Sequence, residues 1–116
     1  MSGFRAELPL PPPHNNAYIN VRGRGRVPSK AHAEWKKAAG WEVVAAPCRK
    51  RIEGPFRFTI LLPLKMRGDV DGRVKLPLDL LVSLGITDDD KNAVSVFAER
   101  SDSVPAGRCI VCAEAA

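Results

Sequence analysis

Residues 67–93 read "RGDVDGRVKLPLDLLVSLGITDDDKNA". How this stretch divides into turn, helix and turn decides the fold. Leu76, Leu80, Leu81 and Leu84 recur at helical spacing, and Gly85 follows as a stop. Pro77 sets the other end. Proline has no backbone N–H, so a helix accepts it only in the first turn, where that group has no partner in any case. The helix is therefore predicted to start near residues 73–76. Asp69 and Asp71 then fall in the turn before it, and Asp88, Asp89 and Asp90 in the loop after it.

Outward from this segment the pattern changes period. "FRFTILLPL" (56–64) precedes it, a continuous apolar run of β-branched and aromatic residues that reads as a central strand. "NAVSVFAERS" and "RCIVCAEA" follow as two further strands, joined by a turn around "DSVPAG". Upstream, "FRAELPL" alternates like a half-buried strand, and "PPP" ends it. "HNNAYINVRGRGRVPS" reads as a long loop or flexible hairpin. Ser29 is placed to cap a helix through "KAHAEWKKAAG", with Gly40 as its stop. "WEVVAAPCRKRIEGP" stays ambiguous, its apolar pattern broken by Pro47 and Gly54. The order is β, α, β, α, β, β. It predicts one α+β domain over residues 1–116, a mixed sheet with two helices on one face in two layers.

Charge is divided unevenly along the 116 residues. Residues 1–68 carry 13 Lys+Arg against 4 Asp+Glu, and residues 69–116 carry 5 against 9. The basic part suits a polyanion held by charge and counterion release; the acidic part suits a cation. Three cysteines, Cys48, Cys109 and Cys112, argue against a disulfide framework. Cys109 and Cys112 lie in a β-prone run, so their side chains are expected on opposite faces, and no second Cys pair is present for zinc. No apolar run has the length of a membrane span, and the first residues lack a signal-peptide core, so a cytoplasmic protein is expected.

The acidic turn carries the chemistry. In extended backbone, Asp69 and Asp71 point the same way and can share a hard cation such as Mg²⁺. The helix carries the triple aspartate about 20 Å away if straight, so the loop after Gly85 must fold back to bring a third carboxylate to the pair. Lys75 lies four residues after Asp71, at the helix N-terminus. There it can neutralise charge on a phosphoryl oxygen or assist a leaving group. These parts match metal-assisted phosphodiester hydrolysis. The plainer reading keeps Asp71 and Lys75 as an i,i+4 ion pair and "TDDDKN" as a solvated loop.

Together these landmarks resemble the RusA family of Holliday-junction resolvases. "LPLPPPHNNAYIN" is similar to the family's strand, prolines and Asn-bearing loop. "GRGRVPSKAHAEWKKAA" resembles its glycine-arginine loop and first helix, and "DVDGRVKLPLDLLVSLGITDDDKNAV" its D-x-D-N-x-x-K segment, helix and acidic pair. The resemblance implies a homodimeric Mg²⁺-dependent endonuclease, with Mn²⁺ as a substitute, that cuts four-way DNA junctions with paired symmetrical nicks. It implies Asp69, Asp71 and Asp90 as metal ligands, Asp89 as the alternative third, and Lys75 as the catalytic lysine. A nucleoid-associated role, or a phage or prophage source, suits such an enzyme. One position departs from the pattern: Gly72 stands where the family has Asn. That departure motivates one alternative, a junction-binding protein of the same fold without chemistry; a Mg²⁺-dependent nuclease of other branched DNA is a further one.

On this reading Arg22, Arg24, Arg26 and Lys30 grip phosphates from the basic loop. Lys65, Arg67 and Arg73 flank the acidic site, and Asn15 and Asn16 support it. Arg49, Lys50 and Arg51 form a second basic cluster. His14 and His32 are expected in loop or surface roles, Trp35 and Trp41 in core or dimer contacts, and Tyr18 as a stacking candidate.

Overall fold

A computed structural model describes residues 3–46 and 51–116. Cys48, Arg49 and Lys50 lie outside them. The elements run β1 (Gly3–Pro9), a 3₁₀ turn (His14–Asn16), β2 (Tyr18–Val21), β3 (Gly25–Pro28), α1 (Lys30–Ala45) and β4 (Phe56–Pro63). Then come a 3₁₀ turn (Asp71–Arg73), α2 (Lys75–Ser83), a 3₁₀ turn (Asp90–Asn92), β5 (Ala93–Ser101) and β6 (Arg108–Ala115).

Four strands form one mixed sheet in the order β1-β6-β4-β5. β6 runs antiparallel to both β1 and β4, whereas β4 and β5 are parallel. A parallel pair needs a crossover, and α2 with its flanking 3₁₀ turns supplies it. β4 is central, as its continuous apolar run predicted. β5 and β6 follow one another in sequence yet do not pair. Residues 102–107 carry the chain from β5 across the end of β4 to β6.

The pleat sorts the side chains. Phe4 and Leu8 of β1, Phe56, Phe58, Ile60 and Leu62 of β4, and Cys109, Val111 and Ala113 of β6 are all buried. They join Trp35, Ala39 and Val43 of α1 and Leu76, Leu78, Leu80 and Leu81 of α2 in one core cluster. Both helices thus cover the same sheet face, the two-layer arrangement expected. Each large apolar side chain fully buried there contributes about 1.5–3 kcal/mol. Cys109 and Cys112 face opposite sides. Burial pushes the Cys109 thiol up to about 12, which leaves it protonated at neutral pH.

Several local expectations hold and several fail. Ser29 caps α1, its Oγ accepting from the His32 N–H at 3.2 Å. Gly85 (φ +74°) ends α2 in the left-handed conformation a β-carbon would oppose. Gly40 does not end α1, which continues to Ala45. Val43, one turn beyond Gly40, is fully buried, and that packing outweighs the roughly 1 kcal/mol preference for Ala over Gly in a helix interior. The "HNNAYINVRGRGRVPS" stretch is a paired hairpin, β2 against β3, with Gly23 and Gly25 at positive φ on either side of Arg24. His32 is buried rather than at the surface, its Nδ1 3.0 Å from the Ala17 carbonyl. Trp35 is core, its indole N–H donating to the Pro9 carbonyl at 2.7 Å, but Trp41 is 71% exposed.

Candidate active site

The acidic turn rides on a loop that the fold pins down. Residues 64–70 leave the end of β4 with four carbonyl oxygens turned to two arginines. Arg100, on β5, donates to the carbonyls of Leu64 at 3.4 Å, Gly68 at 2.7 Å and Met66. Arg73 donates to the carbonyl of Arg67 at 3.0 Å and to that of Pro11. Gly68 adopts φ +86°, and a β-carbon there would lie 3.7 Å from the Arg73 guanidinium. That distance is ordinary contact, so the positive φ rather than the space is what favours glycine here. Arg73 departs from its expected DNA contact: it is only 9% exposed and its terminal nitrogens are spent on backbone. Burial, then the nearby Arg100 charge, holds its pKa below the usual arginine value. Its Nε is buried without an acceptor, an omission that costs about 1–3 kcal/mol. Nothing in the sequence pattern singled out Arg100; only the register of β5 beside β4 brings it to this loop.

Asp71 opens the 3₁₀ turn that leads into α2, and α2 begins at Lys75, within the interval Pro77 demanded. Asp69 and Asp71 are both exposed. The turn bearing His14, Asn15 and Asn16 packs against the turn bearing Asp71 and Gly72, which brings the two exposed asparagines beside the acidic segment. Gly72 has ordinary backbone, and a β-carbon there would meet nothing within 4 Å. The glycine is therefore required neither by conformation nor by space.

The loop after Gly85 folds back as far as Lys75 at the start of α2, without gathering a third carboxylate with Asp69 and Asp71. Lys75 Nζ lies 2.9 Å from Asp90 Oδ2 and 2.9 Å from an oxygen of Asp79, one turn along the same helix. Lys75 thus pairs with Asp79 and Asp90 rather than Asp71, which removes the i,i+4 reading of the latter pair. Asp79 was not anticipated. Its signal in the sequence was only the i,i+4 spacing from Lys75. The hydrogen bond to Asp90, then that to Asp79, raises the Lys75 pKa well above the ordinary lysine value. Lys75 in turn, with help from Asp89, holds the Asp90 carboxyl below the usual range.

The three consecutive aspartates have three separate jobs. Asp88 accepts from Arg51 and from the Gly54 N–H at 3.2 Å, tying the loop to the segment before β4. Asp89 caps the short turn after it, accepting from the Lys91 N–H at 3.0 Å. Only Asp90 reaches Lys75. The carboxylates of Asp69, Asp71 and Asp90 are hard oxygen donors of the type Mg²⁺ takes. Among the described residues, no three His, Cys, Asp or Glu side chains gather into a metal-holding group. The donor set fits the ion in chemistry, while the third carboxylate is engaged by lysine.

The other described basic residues named from the sequence lie at the surface. Arg22, Arg24 and Arg26 are exposed on the β2–β3 hairpin, and the Arg26 guanidinium stacks 4.4 Å over the Tyr18 ring. Tyr18 also meets His32 edge-on. Lys30 is exposed and within 3.9 Å of Glu34. Lys65 and Arg67 are exposed on the pinned loop. Arg51 is drawn to Asp88 and Glu53. No helix among the described residues is long and apolar enough to cross a membrane. In comparison with known proteins, the chain matches no family model and no curated protein.

Proposed function

We propose that the chain is a Mg²⁺-dependent endonuclease of the RusA resolvase kind, cutting four-way DNA junctions by paired symmetrical nicks. The Lys75–Asp90 contact at 2.9 Å carries this reading, because it returns the later acidic loop to the start of α2, four residues after Asp71. A lysine whose pKa is raised remains a cation throughout the neutral range. It is a poor proton donor, so its role is to neutralise charge on the phosphoryl oxygens rather than to protonate the leaving group. Asp69, Asp71 and Asp90 would hold Mg²⁺, which when bound activates water and stabilises in-line displacement. Asp69 and Asp71 stay exposed to an incoming phosphate, and Asn15 and Asn16 buttress their turn. The exposed Arg22, Arg24, Arg26, Lys30, Lys65 and Arg67 attract and position the backbone. Paired nicks call for two sites related by a two-fold axis, hence a homodimer. Such an enzyme works in the cytoplasm at the nucleoid, on host or phage DNA.

The test is a four-way junction incubated with purified protein, with and without Mg²⁺ or Mn²⁺. Symmetrically nicked duplexes are expected only with metal. Asp71→Asn should abolish cleavage and keep junction binding, since removing a negative charge does not weaken attraction to phosphate. Folded protein that cuts no junction with either metal would sink the proposal. A second reading, a junction-binding module without chemistry, is favoured by Gly72 and by the engagement of Lys75 with two carboxylates. It requires junction binding indifferent to metal and no products. Cleavage of flaps or linear duplex in preference to junctions would point instead to a nuclease of other branched DNA.

A further inference from the structure

Beside the pinned loop lies a cavity of about 490 Å³, walled by Leu10, Pro63, Leu64, Met66, Val104 and Ala106. It sits where β4 ends, between the loop that leads to Asp69 and the 102–107 connection to β6. It is open to solvent, with Leu64 of its wall 55% exposed, and its volume is that of a small-molecule site. Three cations line it, Lys65, Arg67 and Arg73, with one acid, Asp102. Lys65 and Arg67 are exposed, whereas Arg73 is buried with an Nε that lacks an acceptor. Arg73 and Arg100 hold the carbonyls of residues 64 and 66–68, so this wall is organised before any ligand arrives.

We propose that this cavity receives one unpaired nucleotide of the DNA substrate, its base between the apolar walls and its phosphate against Lys65 and Arg67. The inference rests on the nuclease reading above and adds a substrate-recognition site to it. The apolar surface matches the face of a base, and the cations match the phosphate. The Asp102 carboxylate supplies an acceptor for the N–H edge of a base and repels a second phosphate. A base leaves the stack most readily where pairing is already broken, as at a branch point. Since the same loop continues into Asp69 and Asp71, a nucleotide held here fixes its neighbour's phosphate next to the acidic turn.

The test measures binding without metal, so that cleavage plays no part. Amide NMR spectra of the whole chain are titrated with a deoxynucleoside monophosphate, the matching deoxynucleoside, inorganic phosphate and an alkyl phosphate. The monophosphate should move the Leu10, Val104, Ala106 and Gly107 signals saturably. Ala106→Trp, a change at an exposed wall position, should weaken that binding about tenfold, the low end of what one stacked base is worth. Lys65→Gln should weaken the monophosphate more than the deoxynucleoside. Equal binding by the alkyl phosphate, or no shifts at these positions, overturns the nucleotide site. If the monophosphate binds here and junctions remain uncut, the site stands and the nuclease reading fails. If junctions are cut equally by the wild type and Ala106→Trp, and no monophosphate shift is seen, the nuclease reading stands and the site fails.

Discussion

At the scale of single residues, Asp88 and Asp90 sit two positions apart and should behave in opposite ways. Asp88 ties Arg51 and the Gly54 N–H, so Asp88→Asn should lower stability by about 1 kcal/mol or less and leave cleavage intact. Asp90 faces Lys75 from a half-buried position in a solvent-screened pair, so Asp90→Asn should leave the melting temperature nearly unchanged and abolish cleavage. Melting curves and junction cleavage on the two variants check both halves; matching behaviour would refute the division of labour. The pair also has a definite pH window. The Asp90 carboxyl is lowered by Lys75, so its contribution is present above the unfolded Asp value of about 3.9 and disappears as pH falls through the lowered folded value. Lys75 is raised, so its contribution is present below the unfolded Lys value of about 10.4 and disappears as pH rises through the raised folded value. An NMR titration of both side chains should show Asp90 titrating below, and Lys75 above, ordinary values, with Asp90→Asn returning Lys75 toward its own. Gly72→Asn tests the one position that departs from the resolvase pattern. The space is open and the backbone ordinary, so the variant should fold at least as stably as the parent. If an amide there orients the acidic turn, cleavage should accelerate; an unchanged rate would separate Gly72 from the chemistry.

At the scale of elements, the helix boundaries show which signals sequence carries. Pro77 and Gly85 act locally, through a missing N–H and a positive φ, and both ends of α2 were legible from them. Gly40 is the contrary case. Its propensity signal was real but small, and the burial of Val43 one turn later overrode it, a fact of tertiary packing that no local pattern records. The penalty Gly40 imposes should therefore be recoverable. Its β-carbon would meet nothing within 4 Å, so Gly40→Ala should stabilise the protein by about 0.5–1 kcal/mol. Urea unfolding would measure this as a higher midpoint at constant slope. The site divides in the same way. The start of α2 at Lys75, with Asp71 in the turn before it, was legible because a helix start is local; which of the three later aspartates meets Lys75 was not, because that contact depends on the loop folding back. The roles of Arg73 and Arg100 were not, because they depend on loop carbonyls that only the placement of β5 beside β4 brings within reach. Arg73, read from sequence as a phosphate contact, is instead the buried tie that shapes the turn.

At the scale of the molecule, the sheet has an edge that the proposed dimer would account for. β5 pairs with β4 alone, so the main-chain groups along its other side meet no strand among the described residues. Its first six residues, Ala93–Ala98, carry no charge, and Val94, Val96 and Phe97 are 59%, 49% and 53% exposed. Single-chain proteins usually blunt such an edge with lysine, proline or a bulge. Here the register slips by one residue at Val94, but lysine and proline are absent over these six residues. A second copy meeting β5 antiparallel about a two-fold axis would satisfy the free backbone groups of both copies and bury the same apolar residues twice. The strand order could not be read from sequence, since β5 looks like an ordinary amphipathic strand until it is found at the rim. Sedimentation at micromolar concentration should give a dimer. Val96→Lys, which adds charge at an exposed position without touching the core, should shift it to monomer at unchanged helix content. If paired nicking needs two coupled sites, the same variant should cut junctions on one strand at a time, leaving nicked intermediates in place of paired products. A wild type that sediments as a monomer would remove β5 from this role. A variant that remains dimeric would place the contact elsewhere on the surface.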